Sequence, residues 1–188
     1  MNKQQKIENF DPSQPGLADA TIFGLPFTAE ESEIIIIPVP WEVTVSYGAG
    51  ASEGPAAIFD ASFQVDLLHQ DFPELWKLGI YMDEAPEQWA KNSEKYKNIA
   101  QPIIEALENG EDVETFPALM EDLHKINTAC RTLHTEVKEK VLFWQNKGKK
   151  VALLGGDHST PLGYYEALAT QYDDFGILHL DAHMDLRV

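Results

Sequence analysis

Two short runs concentrate the residues able to do chemistry: "GGDHS" at Gly155–Ser159 and "HLDAHMD" at His179–Asp185. Between them they hold three of the six histidines of the chain and three aspartates. Imidazole nitrogens mixed with carboxylate oxygens suit first-row divalent ions such as Mn, Fe, Co, Ni or Zn. In the second run His179, Asp181, His183 and Asp185 alternate with Leu178, Leu180, Ala182 and Met184. On an extended chain that period of two turns the polar groups one way and the apolar groups the other. Asp181, His183 and Asp185, joined by His158 from the first run, make four candidate metal ligands. A carboxylate can bridge two ions, so Asp181 also suits a two-metal site.

Each run has a plainer reading by itself. "GGDHS" is also a Gly-rich turn in which Asp157 or Ser159 caps the next helix and His158 is merely exposed. "DAHMD" is also a polar loop. Together they favour a metal site, because a buried strand seldom ends in three ionisable groups that have no partner. Asp157, His158 and Ser159 are contiguous, which is the wrong arrangement for a Ser-His-Asp triad, whose members meet by geometry across a fold. Cys130, the only cysteine, falls on the packed face of a helix and makes a poor nucleophile.

The elements that must position these runs alternate between strand and helix. Residues 1–33 are polar and broken by Pro12, Pro15 and Pro26, which suggests an extended arm lying on the body. "EIIIIPVP" is a continuous β-branched run ended by prolines, as expected of a parallel strand buried on both faces. It leads through the Gly-rich "WEVTVSYGAGASEGP" into "AAIFDASFQVDLL", which has helical spacing. "LWKLGIYM" reads as a strand, and the Lys/Glu/Asn-rich stretch after it as a helix or an insertion. Leu119, Leu123, Ile126, Cys130, Leu133, Val137, Val141 and Trp144 recur at steps of three and four, marking the buried face of a long helix that stops near Gly148. His124 and His134 are ordinary residues of that helix. Finally "KKVALLGGDHSTPLGYYEALATQYDDFGILHLDAHMD" reads as strand, turn, helix, strand, turn. "VALLGG" would deliver His158, and "FGILHL" would deliver Asp181 and His183, at the carboxyl edge of one parallel sheet, where ligands of such sheets gather.

Length and charge limit what the site can serve. A chain of 188 residues, 44% hydrophobic, can bury one sizeable core. Fourteen Lys and Arg against 31 Asp and Glu leave a net charge of −17, which repels phosphate backbones and anionic membranes and tolerates a cationic substrate. Nucleic acid and membrane partners are therefore not expected. A single cysteine excludes an internal disulfide framework, and the N-terminus has no apolar signal region, so the chain reads as cytoplasmic.

"LLGGDHS" followed by "HLDAHMD" resembles the paired metal motifs of the ureohydrolase superfamily, which includes arginase, agmatinase and formimidoylglutamase. "PVPWEVTVSYGAGASEGPAAI" is similar to that family's first strand and Gly-rich loop. The resemblance implies a three-layer α/β/α fold with a mainly parallel sheet and a binuclear manganese site. There His158 would bind one ion and His183 the other, Asp181 would bridge both, and Asp185 would complete the His158 side. Asp157 and His179 match motif positions without being family ligands. The resemblance further implies hydrolysis of a guanidino compound to urea and an amine by metal-activated water, and a homo-oligomer. Because the family's third motif, with two more aspartate ligands, is not in the sequence, residues 1–188 are expected to be a single incomplete ureohydrolase domain lacking its C-terminal part and inactive alone. His179 and the "PWEVTVSYGAG" loop are similar to agmatinase, which points to agmatine, converted to putrescine in polyamine metabolism. "DLR" at Asp185–Arg187 is instead similar to formimidoylglutamase, where Arg187 would meet a substrate carboxylate. Guanidinobutyrase, guanidinase and arginase activities stay open, as does a non-catalytic fragment or binding module whose metal site never forms.

Overall fold

A computed structural model of the chain describes residues 1–14, 16, 20–45 and 48–183. Its centre is a strand, β1 (Ile34–Val39), whose isoleucine run is too apolar for an edge. β1 is flanked on one side by the short β2 (Ile80–Met82) and on the other by β3 (Lys150–Gly155), all parallel, in the order β2-β1-β3. The β1–β3 register runs from Ile34 opposite Lys150 to Val39 opposite Gly155, so both strands reach their carboxyl ends at the same level.

The first crossover, through α2 (Gly54–Ser62), steps from β1 to β2. The second, through α3 (Glu87–Glu108) and α4 (Pro117–Asn146), passes back over β1 to β3. Right-handed connections running in opposite directions place their helices on opposite faces, which makes three layers. The side chains agree. Ile35, Ile37 and Val39 are buried in one cluster with Trp89 and Ile103 of α3 and Leu133, Val137 and Val141 of α4. On the other face Pro38 and Met82 line a small cavity of about 270 Å³ with Pro55, Ala56 and Phe59 of α2. The α/β/α class expected from the sequence is the class observed.

The long helix has the apolar stripe read from its spacing, with Ile126, Leu133, Val137, Val141 and Trp144 buried and Leu119, Leu123 and Cys130 half-buried against the core. Gly148 ends it at φ 73°. The Gly148 N–H donates to the Gln145 carbonyl (2.8 Å) and the Lys149 N–H to that of Trp144 (3.1 Å), a Schellman turn that satisfies the last carbonyls before β3 begins. α5 (Leu162–Ala169) then packs on α4. Gly163 makes that crossing close: a Cβ there would stand 2.3 Å from the His134 carbonyl oxygen.

Three expectations need correction. Residues 1–33 are not simply an extended arm. They begin with a helix, α1 (Lys3–Asn9), closed by a reciprocal Asn2–Gln5 capping box. Ile22, Leu25 and Phe27 are buried, and Phe10 and Phe27 pack on Trp76, which supplies an apolar anchor that proline spacing does not reveal. "LWKL" is a 3-10 turn (Leu75–Leu78) rather than strand, leaving only three residues for β2. Most consequential for function, "FGILHL" forms no strand. Leu178 and Leu180 are 83% and 84% exposed. A period of two makes a strand only where a neighbour supplies the ladder, and among the described residues β3 pairs with β1 alone. No helix among the described residues is long and apolar enough to cross a membrane.

Candidate metal centre at the carboxyl edge of the sheet

The strand order reverses between β1 and β3, and a crevice at such a switch point is where open α/β sheets take their ligands. Both loops leaving these strands are tied down there. The Asp157 N–H donates to the Trp41 carbonyl at 2.8 Å. Gly156 must be glycine, since a Cβ would lie 2.1 Å from the Trp41 carbonyl oxygen and 2.8 Å from that of Val39. The turn carrying His158 is therefore pressed onto the end of β1.

The β1 loop has its own anchor, Glu42, which is 4% exposed. Its carboxylate accepts the N–H groups of Gly50 (2.8 Å) and Ser52 (3.0 Å) and the Lys97 ammonium, while its own N–H donates to Ser93 Oγ (2.9 Å). Burial pushes the Glu42 carboxyl up, but Lys97 and the two backbone donors outweigh it and hold it down at about 2. The Gly-rich loop is thus fastened to α3 through a buried charge that no motif in the sequence marks. Its only signal is an acid three residues past the end of a buried apolar strand.

In the β3 turn Asp157 caps its own loop rather than α5. Its Oδ1 accepts from the Ser159 N–H (2.9 Å) and Ser159 Oγ (2.5 Å), whereas the N-cap of α5 is Pro161, which makes no side-chain cap. This leaves His158 directed outward, 71% exposed. Although no strand delivers it, Asp181 comes to the same place. His158 Nε2 and His179 Nε2 each lie 3.7 Å from Asp181 Oδ2, and His183 Nδ1 lies 3.8 Å from Oδ1. The rings of His158 and His179 meet edge to face at 6.4 Å. Asp181 Oδ1 also accepts the His183 N–H (2.8 Å), and this bond, with the three imidazoles around it, holds the carboxyl below its usual range. Of the four expected ligands, His158, Asp181 and His183 are gathered about one carboxylate. Asp185, and with it Arg187, lies outside the described residues.

Nitrogen and oxygen donors of this kind fit manganese and its neighbours in type. Their spacing is wider than a closed ligand set, in which atoms bonded at ~2.1 Å to one ion stand roughly 3.0–3.4 Å apart. Among the described residues no group of three or more His, Cys, Asp or Glu is arranged to hold an ion. A cleft of about 1090 Å³ lies elsewhere, between Glu30, Phe59, Tyr81 and Trp144, and no motif residue lines it.

Behind the turn, burial pushes the His134 imidazole pKa down, against the Glu166 carboxylate, the Ser159 carbonyl and the Asp157 carboxylate. The Cys130 thiol beside it is pushed up, first by burial and then by Asp157, which agrees with its reading as a poor nucleophile. In sequence His134 stands four residues after Cys130 and beside Leu133, on the margin of the buried stripe.

Comparison with known proteins bears on the same residues. The chain is 29% identical over 157 residues to an N(1)-aminopropylagmatine ureohydrolase of Thermus thermophilus, covering 84% of this chain and 41% of the relative. It is 28% identical over 158 residues to an agmatinase of Bacillus anthracis, covering 84% and 42%, and 27% identical over 153 residues to a proclavaminate amidinohydrolase of Streptomyces clavuligerus, covering 81% and 38%. The chain thus spans about two fifths of the length of the curated relatives it matches. No solved structure matches it. The sequence model of the arginase family matches residues 32–188, a span that holds the β1 loop, the His158 turn and the Asp181 cluster together. With that match across most of its length, the chain belongs to the arginase family.

Proposed function

We propose that this chain serves a manganese-dependent ureohydrolase that splits the guanidinium group of a small cationic amine into urea and an amine, with agmatine, giving putrescine, as the substrate. The reading is carried by one observation: in a chain of the arginase family, His158 and Asp181, 23 positions apart in the sequence, approach to 3.7 Å at the switch point of the sheet. Manganese would be held by His158, Asp181, His183 and Asp185, and a bound divalent ion supplies nucleophilic water near neutral pH by lowering its pKa from ~15.7 towards ~7. The protein's part is to hold those four side chains at the mouth of the sheet and to present an acidic surface to a cation, which the net charge of −17 favours. The names of two relatives, an agmatinase and an aminopropylagmatine ureohydrolase, support a substrate whose far end is an amine rather than a carboxylate. In this reading Arg187 takes no part in substrate binding.

The deciding experiment follows urea release from the full-length protein with manganese, using agmatine, N(1)-aminopropylagmatine, arginine and formimidoylglutamate in parallel. Agmatine turnover that falls about a thousandfold or more in Asp181→Asn is the expected result. Preference for formimidoylglutamate, lost selectively in Arg187→Ala, overturns the substrate. A second reading, a non-catalytic binding module, draws on the wide spacing of the described donors. Absence of manganese binding together with absence of urea release from all four compounds would favour it.

A further inference from the structure

Glu42 is gripped twice by one helix. Its carboxylate takes the ammonium of Lys97, and its backbone N–H donates to Ser93 Oγ at 2.9 Å. Ser93 and Lys97 stand four residues apart on α3, so they are neighbours on one face of it. Ser93 is 2% exposed, and a hydroxyl so deeply buried is costly unless it is hydrogen-bonded. It serves a backbone N–H beyond the β1–β3 register, which ends at Val39. The N–H of Glu42 and the carbonyl of Trp41 are the two ends of one peptide group. That group is planar and trans, so its two polar bonds point in opposite directions and cannot turn independently. At the far end the Trp41 carbonyl accepts the Asp157 N–H at 2.8 Å, and a Cβ on Gly156 would stand 2.1 Å from the same oxygen. One rigid plane is thus clamped between α3 and the turn that carries His158, the residue after Asp157. Any tilt that frees the Glu42 N–H moves the Trp41 carbonyl with it.

We propose that Ser93 is a positioning residue for the metal site: by holding the Glu42 N–H it fixes the Trp41–Glu42 peptide plane, and that plane fixes the turn that aims His158. The inference rests on the reading of His158 as a metal ligand. It adds to that reading a residue of α3 that touches neither metal nor substrate. It also gives a task to the Lys/Glu/Asn-rich stretch, whose composition reads equally as a helix or an insertion. Groups bonded directly to metal ligands orient them, and their loss typically weakens metal binding ~10- to 100-fold. Ser93 acts through an intervening peptide group, so a smaller loss, about fivefold, is expected.

The test uses the full-length protein and two substitutions at one position. Ser93→Ala deletes the acceptor, while Ser93→Cys fills the space with a sulfur that accepts hydrogen bonds only weakly. Two quantities are read: the dissociation constant for Mn²⁺ by titration calorimetry, and hydrogen exchange of the Asp157 amide without metal. In both variants manganese should bind about fivefold more weakly and the Asp157 amide should exchange about tenfold faster, with the circular dichroism spectrum unchanged. Ile103→Val trims a buried side chain of the same helix without touching Glu42, and should leave both values within about twofold of wild type. Unchanged values in Ser93→Ala overturn the proposal. So does a Ser93→Cys protein that matches wild type, since that is what a packing role gives, and so does equal damage in Ile103→Val, the mark of general loosening. Weaker manganese binding with an unchanged Asp157 amide overturns the route through the peptide plane. A wild-type protein that binds no manganese removes the metal reading instead, and the exchange rates then still decide whether Ser93 holds the turn.

Discussion

The loop after β1 and the segment after α5 both carry acids to the mouth of one sheet, yet the chain treats them oppositely. Glu42 is buried at 4% exposure and grips Gly50, Ser52 and Lys97. Asp181 is approached by three histidines at 3.7–3.8 Å, on a segment whose leucines face water. The first acid spends its hydrogen-bonding capacity on the protein. The second keeps one oxygen, Oδ2, turned towards His158 and His179. A carboxylate saturated by backbone donors and an ammonium is a structural anchor, whereas one ringed by imidazoles has the donor types for an ion.

The sharpest way to break this comparison is to remove the anchor. Glu42→Ala orphans two backbone N–H groups and leaves Lys97 without its partner, which should cost about 4 kcal/mol in urea unfolding. A loss below about 1 kcal/mol would mean that the loop stands without it. Acid should probe the same bond. Because the folded carboxyl is held at about 2, below the ordinary 4.5, its contribution is complete above pH ~4.5 and disappears as pH falls towards 2. That amounts to about 3 kcal/mol at full extent. Glu42→Gln should lose stability less steeply over this window, keeping the part due to Asp83, which Lys140 and Trp144 hold low against its burial. Parallel acid unfolding curves for wild type and Glu42→Gln would contradict this. Gly156→Ala tests whether the two loops truly press together. Its Cβ meets two backbone carbonyls, which cannot swing aside, so a cost of about 2–3 kcal/mol is expected by thermal unfolding, and a neutral substitution would refute the contact. The smallest effect belongs to the open segment. Leu178→Lys in these 188 residues should change stability by no more than about 0.5 kcal/mol, and a larger loss would show that the segment is packed.

The parts that could be read from the sequence are those set by local periodicity and chemical type. The isoleucines of β1 and the stripe on α4 announce a buried strand and a buried helix face, because burial on a regular element repeats with that element's period. The donor chemistry of His158, Asp181 and His183 is likewise carried by the side chains themselves. What escaped was set by partners distant in sequence. Trp76 anchors a segment whose prolines suggested only an extended arm lying on the body. α5 closes on the His134 carbonyl of α4 only because residue 163 is glycine.

By itself, then, the sequence determined which residues could bind an ion, which faces must be buried and that the sheet is parallel, since these follow from side-chain chemistry and from periods of 2 and 3.6. Only the tertiary structure decided that Glu42 is an anchor, that the His158 turn is pressed onto the Trp41 carbonyl, and that Phe175–Leu180 is no strand among the described residues. The physical reason is common to all three: a hydrogen bond, a burial or a β-ladder belongs to a pair of segments, and neither segment alone encodes whether its partner arrives.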